Sequence, residues 1–139
     1  MTALQRPSRL SLYVAVGLGS AIGGLARWWI SDLLQTAPGS GFPWGTLWVN
    51  VSGSLLIGCY AAWIAPGGRR VHGLRLRLFV MTGLCGGYTT FSVFSLENIT
   101  LLQLGHYGLA GAYVGASLLL WLGAVWAGYT LASASRRRA

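Results

Sequence analysis

Apolar residues run along this chain in four long blocks separated by short polar or glycine- and proline-bearing connections. The blocks cover about Leu10 to Leu34, Trp44 to Ala65, Leu76 to Leu104 and Gly108 to Ala132. A helix needs about 20 residues to cross a hydrocarbon core, and each block is long enough. The second and fourth carry no charge. The first holds Arg27 and Asp32 late in its course, and the third holds Glu97 beyond a glycine-rich centre. The connections, Gln35 to Pro43, Pro66 to Arg75 and Gly105 to Tyr107, leave no room for a soluble domain. The pattern predicts an all-α membrane protein with four transmembrane helices in a single integral membrane domain over residues 1–139.

Composition agrees with a membrane solvent. Of the 139 residues, 54% are hydrophobic and 9% charged, against roughly 25% charged in a soluble domain. A net charge of +8 raises the question of nucleic acid. The ten cations are all arginines, however, and all but Arg27 gather at the chain ends and between Arg69 and Arg77. Those places flank membrane spans, so no nucleic-acid partner is expected. Arg6 and Arg9 ahead of an apolar run imitate the start of a signal peptide, with Ser20-Ala21 as a cleavage context. The run continues to Ile30, longer than a typical signal core, so an uncleaved first span is expected.

Four spans put Arg6, Arg9, Arg69, Arg70, Arg75, Arg77, Arg136, Arg137 and Arg138 on one side, leaving Arg27 toward the other. The positive-inside rule then places both termini in the cytoplasm of a cell whose inner membrane holds the protein. Gly19-x-x-x-Gly23, Gly83-x-x-x-Gly87, Gly111-x-x-x-Gly115 and the variant Ser54-x-x-x-Gly58 allow close helix approach in lipid, within a bundle or a dimer. Cys59 and Cys85 read as small packing residues. His72 and His106 lie in connections and make no ligand pair.

The chemistry concentrates in Gly83-Leu-Cys-Gly-Gly-Tyr-Thr-Thr-Phe-Ser-Val-Phe-Ser-Leu-Glu97. Gly86, Gly87, Thr89 and Thr90 are poor helix formers at mid-span. Either the helix stays intact and uses its glycines for packing, or it breaks near its centre. A break frees backbone groups that lipid cannot satisfy, so it survives only when buried or lining a site. Freed carbonyls then suit a hard cation. No Lys follows the glycines, as a phosphate loop requires, and the order of a potassium filter is absent.

Around this segment, Phe91 and Phe94 share a helix face with Ser95 beside Phe91. They read as core or, through their positive ring edges, as a surface for a small anion. Thr46, Asn50 and Ser54 form a polar line at intervals of four, serving interhelical hydrogen bonds or an anion shedding water. Tyr113 and Ser117 repeat the interval in the fourth span, and Trp121 closes that line. Arg27 and Glu97 are intramembrane charges with a functional or a structural role, although Arg27 has Trp28 and Trp29 beside it for an interfacial setting.

Gly23-Gly24-x-x-Arg27-Trp28, Gly45-Thr46-Leu47-x-x-Asn50-x-x-Gly53 and Gly83-x-x-Gly86-Gly87-x-Thr89-Thr90-Phe91-Ser92-x-Phe94-Ser95-x-Glu97 resemble the Fluc (CrcB) fluoride channels. The resemblance runs from about Leu12 to Ala132. It implies an antiparallel dual-pore dimer, fluoride as the permeant ion, and a structural Na⁺ that is not transported. Carried over, the sodium ligands are the backbone carbonyls of Gly86 and Thr89. The fluoride pathway takes Asn50, Phe91, Phe94, Tyr113 and Ser117, with Thr46 and Ser95 beside them. Trp121 departs, since relatives often carry a small hydroxyl residue there.

The arginine bias, nine to one, suits a chain that inserts mostly one way and pairs with an oppositely oriented paralogue rather than with itself. The competing class is a small dimeric proton-coupled multidrug exporter. It wants an embedded carboxylate in the first span, where only Asp32 at the end is present. No nucleophile–base pair supports an enzyme.

Overall fold

The computed structural model describes residues 7–34, 41–65 and 73–137. Among them the chain is all-helical, and four segments are long and apolar enough to cross a membrane. Helix α1 (Arg9–Leu34) and α2 (Trp44–Ile64) are continuous. The third span starts as α3 (Leu74–Arg77), continues as a π-helix (Leu78–Cys85) and ends its first half with α4 (Gly86–Tyr88). After a break, α5 (Ser92–Gln103) completes it. The fourth, α6 (Tyr107–Arg137), runs five residues past the apolar block ending at Ala132. Arg6, Arg69, Arg70, His72 and Arg138 lie outside the described residues.

Parallel rather than consecutive spans form the two main packing seams. Helix α1 lies on the first half of the third span, and α2 lies on α6. Both seams bring backbone against backbone. A methyl group on Gly19 would meet the Phe79 carbonyl at 2.5 Å, and one on Gly87 would meet the Ser20 carbonyl at the same distance. On the other seam, Gly58 faces the Val125 carbonyl and Gly128 faces the Leu55 carbonyl. Close approach of this kind replaces the hydrophobic drive that lipid does not supply. Two of the four small-residue motifs, Gly19/Gly23 and Gly83/Gly87, meet each other here, and Gly58 of a third packs on α6. Gly111 and Gly115 have no protein atom within 4 Å of the added methyl position, so the fourth motif faces away from the chain's own helices.

This pairing gives both members of each seam the same direction. The starts of α1 and α3 therefore share one end, where Arg75 Nη2 donates to Ser11 Oγ at 3.2 Å. A small polar-aromatic core forms where α2, α5 and α6 converge, around Leu47, Phe94, Leu101, Ala110 and Tyr113. Outward faces stay apolar, with Leu18, Leu25, Leu119 and Leu122 among the exposed side chains, as expected where the solvent is lipid.

Candidate functional site: a broken helix and the polar residues that hold it

The break falls at Thr89–Phe91, starting two residues past the glycine pair, with Thr89 in an extended conformation (φ −81°, ψ 157°). Gly86 and Gly87 stay helical. Gly87 is held there by the Ser20 backbone of α1. The break therefore belongs to the threonines, whose side chains compete with the helical ladder.

Thr89 Oγ1 donates back to the Cys85 carbonyl at 3.0 Å, beside the Thr89 N–H at 2.9 Å. Thr90 N–H donates to Asn50 Oδ1 at 2.8 Å, and Asn50 Nδ2 donates to the Thr90 carbonyl at 2.9 Å. Thr90 Oγ1 accepts from the Val93 N–H at 3.2 Å, in the manner of a helix cap. Phe91 O receives both Ser95 N–H and Ser95 Oγ–H, each at 2.9 Å. Arg27 Nε donates to the Gly87 carbonyl at 3.3 Å.

These bonds decide which carbonyls the break releases. In an unbroken helix, Thr90 N–H would bond Gly86 O and Val93 N–H would bond Thr89 O. The first is turned to Asn50 and the second to the Thr90 hydroxyl. Gly86 and Thr89 are thus two of the carbonyls the break releases, while that of Gly87 is taken up by Arg27 Nε. Gly86 is exposed on this chain, and an added methyl there would meet nothing nearer than the Met81 carbonyl of its own span at 3.9 Å. Two neutral oxygens at an open face suit a hard cation, which takes only oxygen ligands. Among the described residues no group of three His, Cys, Asp or Glu side chains offers another metal site.

Asn50 therefore acts as a two-point clamp on the break. Its amide nitrogen carries two hydrogens and spends one on Thr90, which leaves one donor. Thr46, a turn earlier on α2, donates to Glu97 Oε1 at 2.7 Å, and Tyr113 OH donates to Glu97 Oε2 at 2.7 Å. Both oxygens of the intramembrane carboxylate are held by hydroxyls from two other spans. Sequence spacing places Thr46 and Tyr113 on polar lines but does not reveal that those lines end on Glu97.

The phenylalanines lie together as their spacing predicts, with ring centroids 5.6 Å apart. Their settings differ. Phe94 is 6% exposed and touches Tyr113 at 5.0 Å and Trp121 at 4.9 Å, whereas Phe91 is 70% exposed at the break. Beside them a cleft of about 320 Å³ is lined by Asn50, Ser54, Gly86, Thr89, Phe91 and Trp121, among others. Ser117 is fully buried on α6. The Ser52 and Tyr88 hydroxyls, 2.8 Å apart, add a link between α2 and the third span. Ser52 lies off the line of Thr46, Asn50 and Ser54, so sequence spacing gave it no prominence.

The fold and site define a class: a four-span membrane protein whose third helix is broken at its middle and braced by polar residues of its neighbours. The chain belongs to the family described as CrcB-like protein, Camphor Resistance (CrcB), which matches residues 14–129. It is 49% identical over 129 residues to a protein of Rhodopseudomonas palustris (strain BisB18) named Fluoride-specific ion channel FluC 1, covering 93% of this chain and 92% of that one. It is 50% identical over 123 residues to Fluoride-specific ion channel FluC of Opitutus terrae, covering 88% and 93%. A Methylocella silvestris protein of the same name is 46% identical over 122 residues, covering 88% and 93%.

Proposed function

We propose that this protein is a fluoride-selective channel that lets fluoride leave the cell passively and so lowers its toxicity. The observation that carries the reading is the braced break of the third span. It occurs in a chain about half identical, over nearly its whole length, to proteins named fluoride-specific channels.

Fluoride is small and holds its water tightly, so a pore must replace that water with several close donors. Neutral donors do this without trapping the ion, since conduction needs binding weak enough to release. The second Asn50 N–H, the ring edges of Phe91 and Phe94 and the Ser117 hydroxyl form the route in this reading. Thr46 and Tyr113 frame it. While they donate to Glu97 they turn lone pairs, not hydrogens, toward any neighbour, and the carboxylate stays out of the ion's path. Ser95 borders the route with its hydrogen already given to Phe91 O. Arg27 steadies the helix end through the Gly87 carbonyl.

The channel is an antiparallel dimer with two pores. Gly86 and Thr89 carbonyls of two copies would meet at the centre and hold a structural Na⁺, which supplies a fixed positive charge where the dielectric is low. With the arginines divided nine to one, the chain inserts with its termini in the cytoplasm of the inner membrane. Its partner is an oppositely oriented paralogue, or a second copy of itself inserted the other way. A proton-coupled exporter is disfavoured because the embedded carboxylate lies in the third span with both oxygens engaged, and no enzyme chemistry is assigned.

The test is reconstitution of the purified chain in liposomes, with efflux followed by a fluoride electrode and chloride as control. Fluoride-selective efflux supports the channel and shows that this chain suffices. Silence from folded protein, persisting after the paralogue is added, removes the reading.

A further inference from the structure

Beside the Ser133 hydroxyl near its end, α6 carries two buried donors with no hydrogen-bond partner among the described residues: the hydroxyl of Ser117 and the indole Nε1 of Trp121. They stand four residues apart, so they share a face of the helix. The Trp121 ring also lines the cleft beside the break, with Asn50, Ser54, Thr90 and Phe91. It meets Phe94 edge to face, with centroids 4.9 Å apart and planes at 70°.

A buried donor without an acceptor costs free energy, and a native structure that keeps two of them side by side calls for a reason. A serine hydroxyl in a helix can turn back to a carbonyl four residues earlier. An indole has no such escape, because its single polar atom is an N–H on a rigid ring. Every backbone carbonyl of the intact α6 helix around Trp121 is engaged in the ladder. Among the described residues no acceptor completes this site. The surroundings favour a small anion: aromatic ring edges carry positive charge, and an indole N–H has no lone pair to repel negative charge.

We infer that the Trp121 indole N–H binds the permeating anion directly, one turn beyond Ser117, as a further donor of the route. The inference rests on the channel reading above. The bulky ring that reads in sequence as the end of the polar line carries the line's next hydrogen.

The test combines the liposome flux assay with NMR of the intact ¹⁵N-labelled protein in detergent. Trp121→Phe keeps an aromatic ring and removes only the N–H, and it identifies the Trp121 indole resonance by its disappearance. Fluoride efflux should fall about tenfold in Trp121→Phe, as expected for loss of one hydrogen bond to a charged group. In the wild-type protein the Trp121 indole resonance should move with added sodium fluoride and stay still with sodium chloride. Trp121→Ser, a smaller donor, should recover part of the flux lost in Trp121→Phe. An indole resonance unmoved by fluoride, or Trp121→Phe efflux within about twofold of wild type, overturns the inference while leaving the channel intact. A wild-type protein that passes no fluoride overturns the channel reading and the inference with it.

Discussion

The two halves of the third span are held by opposite means. The half before the break lies against α1 with glycine on both sides of the seam, and carbonyls sit where methyl groups would otherwise be. The half after the break is tied to α2 and α6 by the Glu97 carboxylate, by Phe94 and by the Asn50 clamp at its start. A backbone seam has no polar side chain to offer an ion, and its tolerances are steric. A side-chain junction is adjustable and rich in donors. The comparison teaches where each job is done: the first half fixes the span in the bundle, and the second presents chemistry.

Substitution on the backbone seam should have the largest effect. Gly87→Val would drive its Cβ toward the Ser20 carbonyl at 2.5 Å and Cα at 2.8 Å, with backbone on both sides and nothing free to move. Overpacking of a rigid site costs about 1–3 kcal/mol or more, and the expected outcome is loss of the monodisperse species on size exclusion. Gly24→Ala, on the same helix as Gly23 but with open space at its methyl position, should leave elution unchanged. Equal tolerance at the two sites would remove the seam as the anchor of the first half.

Asn50→Ala comes next and acts on the junction. It strips partners from both the N–H and the C=O of Thr90, at a cost of about 1–3 kcal/mol for a buried group left unsatisfied. The Thr90 N–H could then return to Gly86 O and lengthen α4. Thermal stability should drop measurably and fluoride efflux should fall more than stability does. Efflux preserved alongside lowered stability would make Asn50 a brace alone.

How much of this was legible in sequence differs between the same two regions. The spans were visible because a run of about 20 apolar residues has one common structural solution in lipid. The break was visible because threonines and glycines at mid-span contradict helix propensity. Its position shifted past Gly86 and Gly87 because the packing of Gly87 against Ser20 is a tertiary fact. The π-helical register of Leu78–Cys85 leaves no mark in composition, since it alters which carbonyl each N–H reaches and not which residues are apolar. Spacing put Thr46 and Tyr113 on polar faces, yet a face does not name its partner. Their meeting at Glu97 joins residues 51 and 16 positions apart in sequence, which only the packing of α2 and α6 brings about.

Glu97→Gln separates charge from connectivity at that meeting point. Glutamine keeps an oxygen to accept from one hydroxyl and an N–H₂ to donate to the other, so both links survive in weaker form. Hydrogen bonds to a charged group contribute about 1.5–3 kcal/mol and neutral ones about 1 kcal/mol, so a stability loss of about 1 kcal/mol is expected. Glu97→Ala should cost more, because Thr46 and Tyr113 then lose their acceptor. Thermal unfolding of the two variants checks the order. Equal losses would mean that the hydroxyls find other partners and that the carboxylate does not join the three helices.

The smallest effect is expected at Ser95, although it lies in the same motif as the residues above. Its hydroxyl donates to the Phe91 carbonyl at 2.9 Å, which the Ser95 N–H already bonds at 2.9 Å. Removing the side-chain bond leaves no carbonyl without a partner. Nor does it remove a donor from the route, since that hydrogen is directed along its own helix. Ser95→Ala should therefore change stability by less than about 0.5 kcal/mol and efflux by less than about twofold, read in the same liposome assay. A larger loss of efflux at unchanged stability would mean that the Ser95 hydroxyl leaves Phe91 to meet the ion. The donor line of the second half would then extend onto α5 itself, rather than being confined to α2 and α6.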